Sequence, residues 1–307
     1  MNMDRRYPRK KYRAVGLFPL LYFLVLSILP TIAQEHSDPL TITHVRGNIY
    51  MLQGPGGNVA LSLGDDGTLL VDSKFADVAD QIRTVIDSLN GGEIGYILNT
   101  HFHGDHIGGN KALGQGAPII AHRNVRRRLL TRPSIDQRYV PPTPESDWPT
   151  LTFDRTLSIY FNGEEIRAVH FDNGHTDGDI AVFFTDSNVI HLGDLFFNQL
   201  FPFVDLDYGG DVENLARHID QLADSLPADS KIIPGHGPLA TLDDLQTYRR
   251  MLQQTLSTVR EGIAAGKSID QIQSEGLAEQ WTQWAWPYVP ARRWLGIVYW
   301  SLAAPRQ

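Results

Sequence analysis

The sequence predicts an α+β protein, because two rounds of short strands, a helix and a further strand follow one another along the chain. Short runs of β-branched and apolar residues bounded by Gly, Asp or Asn are typical of strands, and apolar residues three and four positions apart predict helices. The chain has 307 residues, of which 42% are hydrophobic and 10% aromatic. This is enough apolar material for a packed core, and it excludes a disordered or fibrous protein.

The first round begins with four predicted strands, at residues 40–45, 48–52, 59–63 and 68–71. Residues 75–89 then carry apolar side chains at helical spacing, and a Gly pair after Asn90 ends the predicted helix. A brief strand at residues 96–99 leads directly into the sequence Thr100-His101-Phe102-His103-Gly104-Asp105-His106. This motif is therefore expected on a loop at the C-terminal end of a strand.

The second round has a similar order without a sequence repeat of fixed period. Its predicted elements are strands at residues 157–161, 166–171, 180–185 and 189–192, a helix at 212–226, a strand at 231–233 and helices within 242–275. The tail is rich in aromatic residues, namely Trp281, Trp284, Trp286, Tyr288, Trp294, Tyr299 and Trp300. We favour a cap packed on the core for this tail, and an aromatic wall that faces the substrate is the alternative.

The first 33 residues have the pattern of a secretory signal peptide. Six basic residues between positions 5 and 13 precede an apolar run at residues 17–29, and small residues follow it. The run is shorter than the roughly 20 residues that span a bilayer, although an uncleaved N-terminal anchor is the alternative. We therefore expect a periplasmic or secreted protein without stable membrane association after cleavage. Residues 34–307 are expected to form one domain that ends in a helical, Trp-rich extension from about residue 242.

Charge and cysteine content exclude several functions. The whole chain has 27 Lys and Arg against 35 Asp and Glu, a formal net charge of -8, and residues 34–307 carry -13. Because no basic stripe remains to neutralise phosphates, we expect a small-molecule substrate and no nucleic-acid partner. The chain has no Cys, which excludes a disulfide framework, a thiolate metal ligand and a Cys nucleophile. Nothing in the sequence sets an oligomeric state.

The chemistry is expected at the motif that follows residue 99. It offers three imidazoles and one carboxylate, from His101, His103, His106 and Asp105. Extended geometry would place alternate side chains of this segment on one side of the backbone, and Gly104 allows a sharp turn. These are more ligands than one tetrahedral ion takes from a single segment, so either a second ion is present or some of these residues lie in an outer shell.

Three later segments each place a candidate ligand beside Gly after a predicted strand. They are Gly174-His175-Thr176, Leu192-Gly193-Asp194 and Gly235-His236-Gly237. A single His at a strand end is more often structural than a metal ligand. The combination of all three segments with the first motif favours a metal centre made of His and carboxylate ligands.

This combination resembles the metallo-β-lactamase-fold hydrolase superfamily over about residues 40–240, and in particular its glyoxalase II-like and secreted bacterial branches. The resemblance implies a four-layer αβ/βα sandwich of two mixed β-sheets flanked by helices. It also implies that His101, His103 and His175 hold a first metal ion, that Asp105, His106 and His236 hold a second, and that Asp194 bridges them. Asp72 matches an acid that steadies the histidine loop, although a turn former at a strand end is an equal alternative.

The resemblance implies a hydrolase that uses two divalent metal ions, with zinc favoured and iron or manganese as alternatives. Two ions that share a water lower its pKa, so that a bridging hydroxide can attack an ester, thioester, lactone or β-lactam, and Asp105 can shuttle the proton. A serine hydrolase is disfavoured because the Gly-x-Ser-x-Gly sequence is absent. The alternatives are an iron-dependent oxidoreductase on the same fold and a metal-binding protein without turnover.

Overall fold

The computed structural model describes residues 38–131, 134–135, 138–139 and 145–303. The predicted signal peptide at residues 1–33 lies outside these ranges. Among the helices of the described ranges, none combines the length and the apolar character that crossing a membrane requires.

Most of the strands form two sheets, and within each sheet the strands follow the order of the chain. The first sheet has the order β1-β2-β3-β4-β5-β6-β9, and the second has the order β10-β11-β12-β13-β14-β15. The strands of the first sheet are β1 Thr41–Arg46, β2 Ile49–Gln53, β3 Val59–Gly64, β4 Gly67–Val71, β5 Ile94–Asn99, β6 Ile119–His122 and β9 Leu151–Phe153. Those of the second are β10 Thr156–Phe161, β11 Glu164–His170, β12 Ile180–Phe184, β13 Val189–Phe197, β14 Lys231–His236 and β15 Ala240–Thr241. Two short strands, β7 Ser134–Ile135 and β8 Arg138–Tyr139, pair only with each other.

Both sheets are mixed. In the first, β1 to β4 form an antiparallel meander, and β4, β5, β6 and β9 then run parallel. In the second, β10 to β13 are antiparallel, whereas β13 and β14 are parallel. Parallel neighbours end at the same edge of a sheet, so the chain segments that follow β4 and β5 emerge side by side.

Eight α-helices of the described residues flank the sheets. Their bounds are α1 Ala79–Ser88, α2 Gly104–Ile107, α3 Asn110–Leu113, α4 Arg123–Leu130, α5 Val212–Ser225, α6 Leu242–Ala264, α7 Ile269–Glu275 and α8 Ala291–Ala303. Short 3-10 helices lie at Ala76–Val78, Glu145–Asp147, Leu206–Tyr208 and Glu279–Trp284.

Three apolar clusters define four layers. One cluster joins the inner faces of the two sheets, with Met51 and Leu98 from the first and Val182 from the second. A second cluster packs α1 on the outer face of the first sheet. The third packs α5, α6 and α8 on the outer face of the second sheet and includes Trp281, Trp284 and Trp294 from the tail. Helix, sheet, sheet and helix therefore follow one another, which confirms the fold expected from the sequence.

The predicted strands and helices agree with those of the structure, and the differences concern short elements. The structure adds β6 and β9, which have four and three residues and lack enough length to show a period. It also extends the strand predicted at 189–192 to Phe197. The segment expected to be extended around residue 104 is instead the single helical turn α2.

Candidate metal centre

The structure brings all seven predicted ligands into two adjoining groups. His101, His103, His175 and Asp194 form the first group, and Asp105, His106 and His236 form the second. Within each group, the potential ligand atoms all lie within 4.8 Å of one another. The groups draw on four separate parts of the fold: the loop and turn after β5, the loop between β11 and β12, strand β13 and the end of β14.

Asp194 lies on the side of the first group that faces the second, and it presents one carboxylate oxygen to the histidines of each group. Its Oδ2 is 3.4 Å from His175 Nε2 and 3.7 Å from His101 Nε2. Its Oδ1 is 3.1 Å from His106 Nε2 and 3.5 Å from His236 Nε2. A carboxylate in this position can bind two cations at once, one through each oxygen.

Helix α2 explains how adjacent residues of the motif serve different groups. His103 has extended backbone angles and directly precedes the helix, so its side chain stays with the first group. Asp105 and His106 lie within the helical turn and belong to the second group. The helical turn therefore separates the ligands of one loop into two sets, which an extended chain would not do.

Hydrogen bonds assign the imidazole tautomers of the first group. His103 Nε2 donates to Asp205 Oδ2 at 2.9 Å, and His175 Nδ1 donates to the carbonyl oxygen of Phe203 at 2.7 Å. The opposite nitrogens, His103 Nδ1 and His175 Nε2, then face each other as lone pairs only 2.9 Å apart. Two facing lone pairs repel unless a proton or a cation lies between them.

The buried polar atoms of the site fit a metal centre. His101 Nε2 and Asp194 Oδ1 are buried without a hydrogen-bond partner, and their side chains are only 1% and 5% exposed. Unpaired buried polar atoms cost about 1–3 kcal/mol each. Neutral imidazole nitrogens and a carboxylate are ligands for zinc, iron and manganese. The residues present therefore suit divalent cations at both groups.

Asp72 holds the motif from behind. It is fully buried at the end of β4, and its Oδ2 accepts hydrogen bonds from His106 Nδ1 and Thr100 Oγ1, each at 2.7 Å. Its Oδ1 accepts from the backbone N–H of Thr100, also at 2.7 Å. The carboxylate thereby directs His106 Nε2 toward the second group. Its φ of +67° is left-handed, and the two alternatives for this position, a steadying acid and a turn former, both stay predictions.

Two further acids near the first group escaped the sequence analysis. Asp205 accepts from His103, and Asp179 accepts from the backbone N–H groups of His175 and Thr176 at 2.6 and 2.9 Å. An outer carboxylate bonded to an imidazole, as Asp205 is, fixes the orientation of a metal-binding His, whereas Asp179 fixes the backbone that carries His175. A Gly-Asp pair just before β12 could have suggested Asp179, whereas Asp205 lies in an irregular segment without a motif.

The charges of the two groups differ in their effect on the histidines. Burial lowers the pKa of His175 to about 4 and that of His101 well below its usual value. Burial also opposes protonation of His236, but Asp194 and Asp105 raise its pKa to about 9. For His106 too, the nearby carboxylates outweigh burial and raise the pKa well above its usual value. The second group therefore provides strongly negative surroundings in which positive charge is favoured.

Two glycines allow the close approach of backbone to the site. A Cβ at Gly57 would lie 2.1 Å from His106 Cε1, and one at Gly235 would lie 2.0 Å from Asp194 Oδ1. Asn58 Nδ2 donates to the carbonyl oxygens of Pro234 and Gly237 at 2.9 Å each. The Asn58 amide thus connects the glycine turn before β3 to the end of β14, which carries His236.

Lys74 is an unexpected buried cation beside the centre. It is fully buried, and its Nζ donates to the carbonyl oxygen of Gly57 at 2.7 Å. Burial lowers its pKa to about 8, against the attraction of Asp105 and Asp72. The hydrogen bond from Lys74 to Gly57 holds the glycine turn in place. No pattern in the sequence distinguished Lys74 from a surface lysine.

The centre opens into a cavity of about 560 Å³. Twelve residues line it: Gly54, Gly56, Phe75, His103, Gly104, Asp105, Asp194, Phe197, Phe203, His236, Trp286 and Tyr288. Trp286 and Tyr288 come from the aromatic tail, whereas Trp281, Trp284 and Trp294 are buried in the core. The tail therefore both caps the core and forms a wall of the cavity.

The fold and the paired ligand groups define a metallo-hydrolase-type protein. A family model described as the metallo-beta-lactamase superfamily matches residues 45–236, which contain all seven candidate ligands. The chain belongs to this superfamily, as the sequence motif predicted.

Curated relatives are similar over part of the chain. A hydroxyacylglutathione hydrolase from Methylococcus capsulatus is 28% identical over 200 residues, which cover 61% of this chain and 61% of that protein. The Beta-lactamase-like protein 2 homolog of Drosophila melanogaster is 22% identical over 253 residues, which cover 79% of this chain and 76% of that protein. The chain thus spans less than two thirds of the first of these relatives.

Solved structures agree in fold. A metallo-beta-lactamase from Pontibacter korlensis has a TM-score of 0.58 and 17% identity, with 70% of this chain and 99% of that chain covered. The sec-alkylsulfatase Pisa1 from Pseudomonas sp. has a TM-score of 0.68 and 15% identity, with 86% of this chain and 50% of that chain covered. These likenesses establish the shared fold.

Proposed function

We propose that the protein is an exported hydrolase with two divalent metal ions that cleaves an ester, thioester, lactone or β-lactam. The observation that carries this proposal is the position of Asp194, with one oxygen 3.4 Å from the first group and the other 3.1 Å from the second. The similarity to hydroxyacylglutathione hydrolases supports carbonyl substrates.

Seven side chains would hold the metal pair. The first ion would bind His101, His103 and His175, the second would bind Asp105, His106 and His236, and Asp194 would bridge them. A pair of divalent cations supplies water activation near neutral pH and polarisation of the substrate's carbonyl oxygen, and zinc is the favoured metal. Asp72 orients His106 through the bond to its Nδ1.

Asp105 is placed to move a proton. Its Oδ2 lies 3.3 Å from His236 Nε2, while its side chain is 25% exposed and lines the cavity. Burial acts to raise the pKa of Asp105, but the opposite effect of His106 and His236 is larger. The net pKa is lowered, so the carboxylate is ionised at neutral pH. We infer that Asp105 accepts the proton of the attacking water and returns it to the leaving group.

Export is proposed from the basic and apolar pattern of residues 1–33. A periplasmic fusion reporter joined after residue 40 would test it, with the same fusion lacking residues 1–33 as the control. Reporter activity that does not depend on residues 1–33 would contradict export.

Elemental analysis of the purified protein, combined with a screen of chromogenic esters, thioesters and β-lactams, tests the hydrolase. We expect close to two metal ions per chain, and hydrolysis that a chelator abolishes and added zinc restores. Iron as the functional metal, with oxygen consumption and no hydrolysis, would instead favour the oxidoreductase.

Matched histidine variants locate the activity. His236→Ala should leave close to one ion per chain, because it removes a ligand of the second group alone. His218→Ala should leave both ions, since His218 Nε2 bonds to the carbonyl oxygen of Asp172 outside both groups. Asp194→Ala should lose both ions and all hydrolysis. Full activity in Asp194→Ala would place the site elsewhere.

A further inference from the structure

Apart from the candidate ligands, the described residues that line the cavity are all glycine or aromatic. Of the twelve described lining residues, four belong to the candidate metal centre, three are glycines and five are aromatic. The aromatic residues are Phe75, Phe197, Phe203, Trp286 and Tyr288. No Lys or Arg is among these lining residues. A substrate group in this space would therefore meet apolar surface and ring faces.

Four of these aromatic side chains, Phe197, Trp286, Tyr288 and Phe203, form a continuous wall that contacts the candidate ligand His236. The Phe197 ring stacks on His236 with centroids 5.0 Å apart, and Trp286 lies 5.9 Å from the same imidazole. Tyr288 lies 5.5 Å from Trp286 and 5.5 Å from Phe203. A substrate whose reacting carbonyl reaches the metal centre would place its adjacent group against this wall.

The wall is held in position by hydrogen bonds. Trp286 Nε1 donates to the carbonyl oxygen of Phe201 at 2.9 Å, so the indole is fixed rather than free to rotate. Arg293 Nη1 donates to the carbonyl oxygen of Tyr288 at 2.6 Å, and its guanidinium lies 4.3 Å from the centre of the Tyr288 ring. A preformed apolar pocket binds with less ordering cost than a mobile one.

We propose that Trp286 and Tyr288 select substrates that carry a neutral, bulky apolar or aromatic group beside the scissile carbonyl. The same wall disfavours anionic glutathione thioesters, because glutathione carries two carboxylates and the described lining offers them no basic partner. This inference rests on the proposed hydrolase function. The inferred substrates therefore differ from the glutathione thioesters for which the hydroxyacylglutathione hydrolase relatives are named.

Three thioesters with matched parts test the selection. Acetyl and phenylacetyl thioesters of N-acetylcysteamine differ only in the acyl group, and phenylacetyl-glutathione differs from the second only in the thiol. Released thiol is measured with a disulfide reagent, to which this Cys-free chain adds no background. We expect kcat/KM of the zinc-loaded protein to be at least about tenfold higher for the neutral phenylacetyl thioester than for either other compound. Methyl acetate and methyl phenylacetate, followed by acid release, repeat the acyl comparison with esters.

Variants assign the preference to the wall. Trp286→Ala and, separately, Tyr288→Ala should each reduce the phenylacetyl-to-acetyl ratio of kcat/KM several-fold, whereas Trp286→Phe should keep most of it. Trp300→Ala is the control, because Trp300 is 57% exposed and does not line the cavity. Metal content and thermal unfolding of each variant verify that the centre and the fold are intact.

The outcomes separate this inference from the proposed function. Equal kcat/KM for the two acyl groups, or faster cleavage of the glutathione thioester, in an active protein overturns the selection and leaves the hydrolase standing. An unchanged acyl ratio in both Trp286→Ala and Tyr288→Ala also overturns it. Absence of hydrolysis of every thioester and ester by the metal-loaded protein overturns this inference, and the proposed function falls with it if lactones and β-lactams are not cleaved either.

Discussion

Replacing Asp72 with Asn tests whether this acid steadies the second ligand group or only forms a turn. Asn tolerates the left-handed backbone, so the φ of +67° should persist. The variant can keep the acceptor for the Thr100 N–H, but an NH₂ group replaces Oδ2. That oxygen accepts from both His106 Nδ1 and Thr100 Oγ1. The substitution therefore places two donors opposite each other at His106.

The magnitude follows from the bonds that are lost. A hydrogen bond to a charged group contributes about 1.5–3 kcal/mol. Thr100 can rotate its hydroxyl toward another acceptor, whereas the His106 bond has no substitute among the described contacts of Nδ1. We therefore expect the free energy of unfolding to fall by about 2–4 kcal/mol. Loss of an outer hydrogen-bond partner also weakens metal binding about 10–100-fold. Because Asp72 bonds to His106, we expect this loss in the affinity for the second ion.

Two measurements and one control decide the result. Urea unfolding of chelator-treated protein gives the stability, and competition with a chromophoric chelator gives the affinity of each ion. Asp211→Asn is the matched control, because Asp211 also accepts from a backbone N–H, that of Asn214, and from the Ser301 hydroxyl, but contacts no ligand. Unchanged affinity for the second ion in Asp72→Asn would refute the steadying role and leave Asp72 as a turn former.

Other substitutions probe the remaining supports of the site and the fold. Asp205→Ala should weaken the first ion about 10–100-fold, because His103 loses the acceptor of its Nε2 proton, and chelator competition measures this. Gly235→Ala should reduce metal content in elemental analysis, since a Cβ would lie 2.0 Å from Asp194 Oδ1. Burial lowers the pKa of His122 to about 4, so below pH 6.5 only the unfolded chain gains this proton and stability falls toward pH 4. His122→Asn should lose less stability between pH 7 and 5 in urea unfolding, and an equal loss would contradict this assignment.

The fold and the seven candidate ligands were accessible from the sequence because both depend on local patterns. Strand and helix periods predicted the main elements, the resemblance to the superfamily implied their four layers, and Gly residues beside His175, Asp194 and His236 indicated places where backbone approaches a site. Gly193 illustrates the reason, since its φ of +50° interrupts the regular register of β13 immediately before Asp194. Such a conformation favours glycine, and it therefore leaves a trace in the sequence.

The outer contacts were not accessible, because they join residues that are distant in the chain. His103 and Asp205 are 102 positions apart, and Asp205 lies in a segment without a regular period. The sequence around Lys74 does not distinguish it from a surface lysine, and only the structure shows that it is buried and bonded to Gly57. The turn α2 is a single helical turn, too short for periodicity to distinguish from a loop.

The aromatic tail belongs to the site as much as to the core, because hydrogen bonds connect it to the first ligand group. The backbone N–H of Phe201 donates to the carbonyl oxygen of Trp284, and the Trp286 indole donates to the carbonyl oxygen of Phe201, each at 2.9 Å. Two residues further on, the Phe203 carbonyl accepts from His175 Nδ1 at 2.7 Å and thereby sets which His175 nitrogen faces the centre. A displacement of the tail would move residues 201–203 and with them the acceptor of His175. The matched family region ends at residue 236, yet the tail residues that bond to Phe201, two positions before the acceptor of His175, lie beyond it.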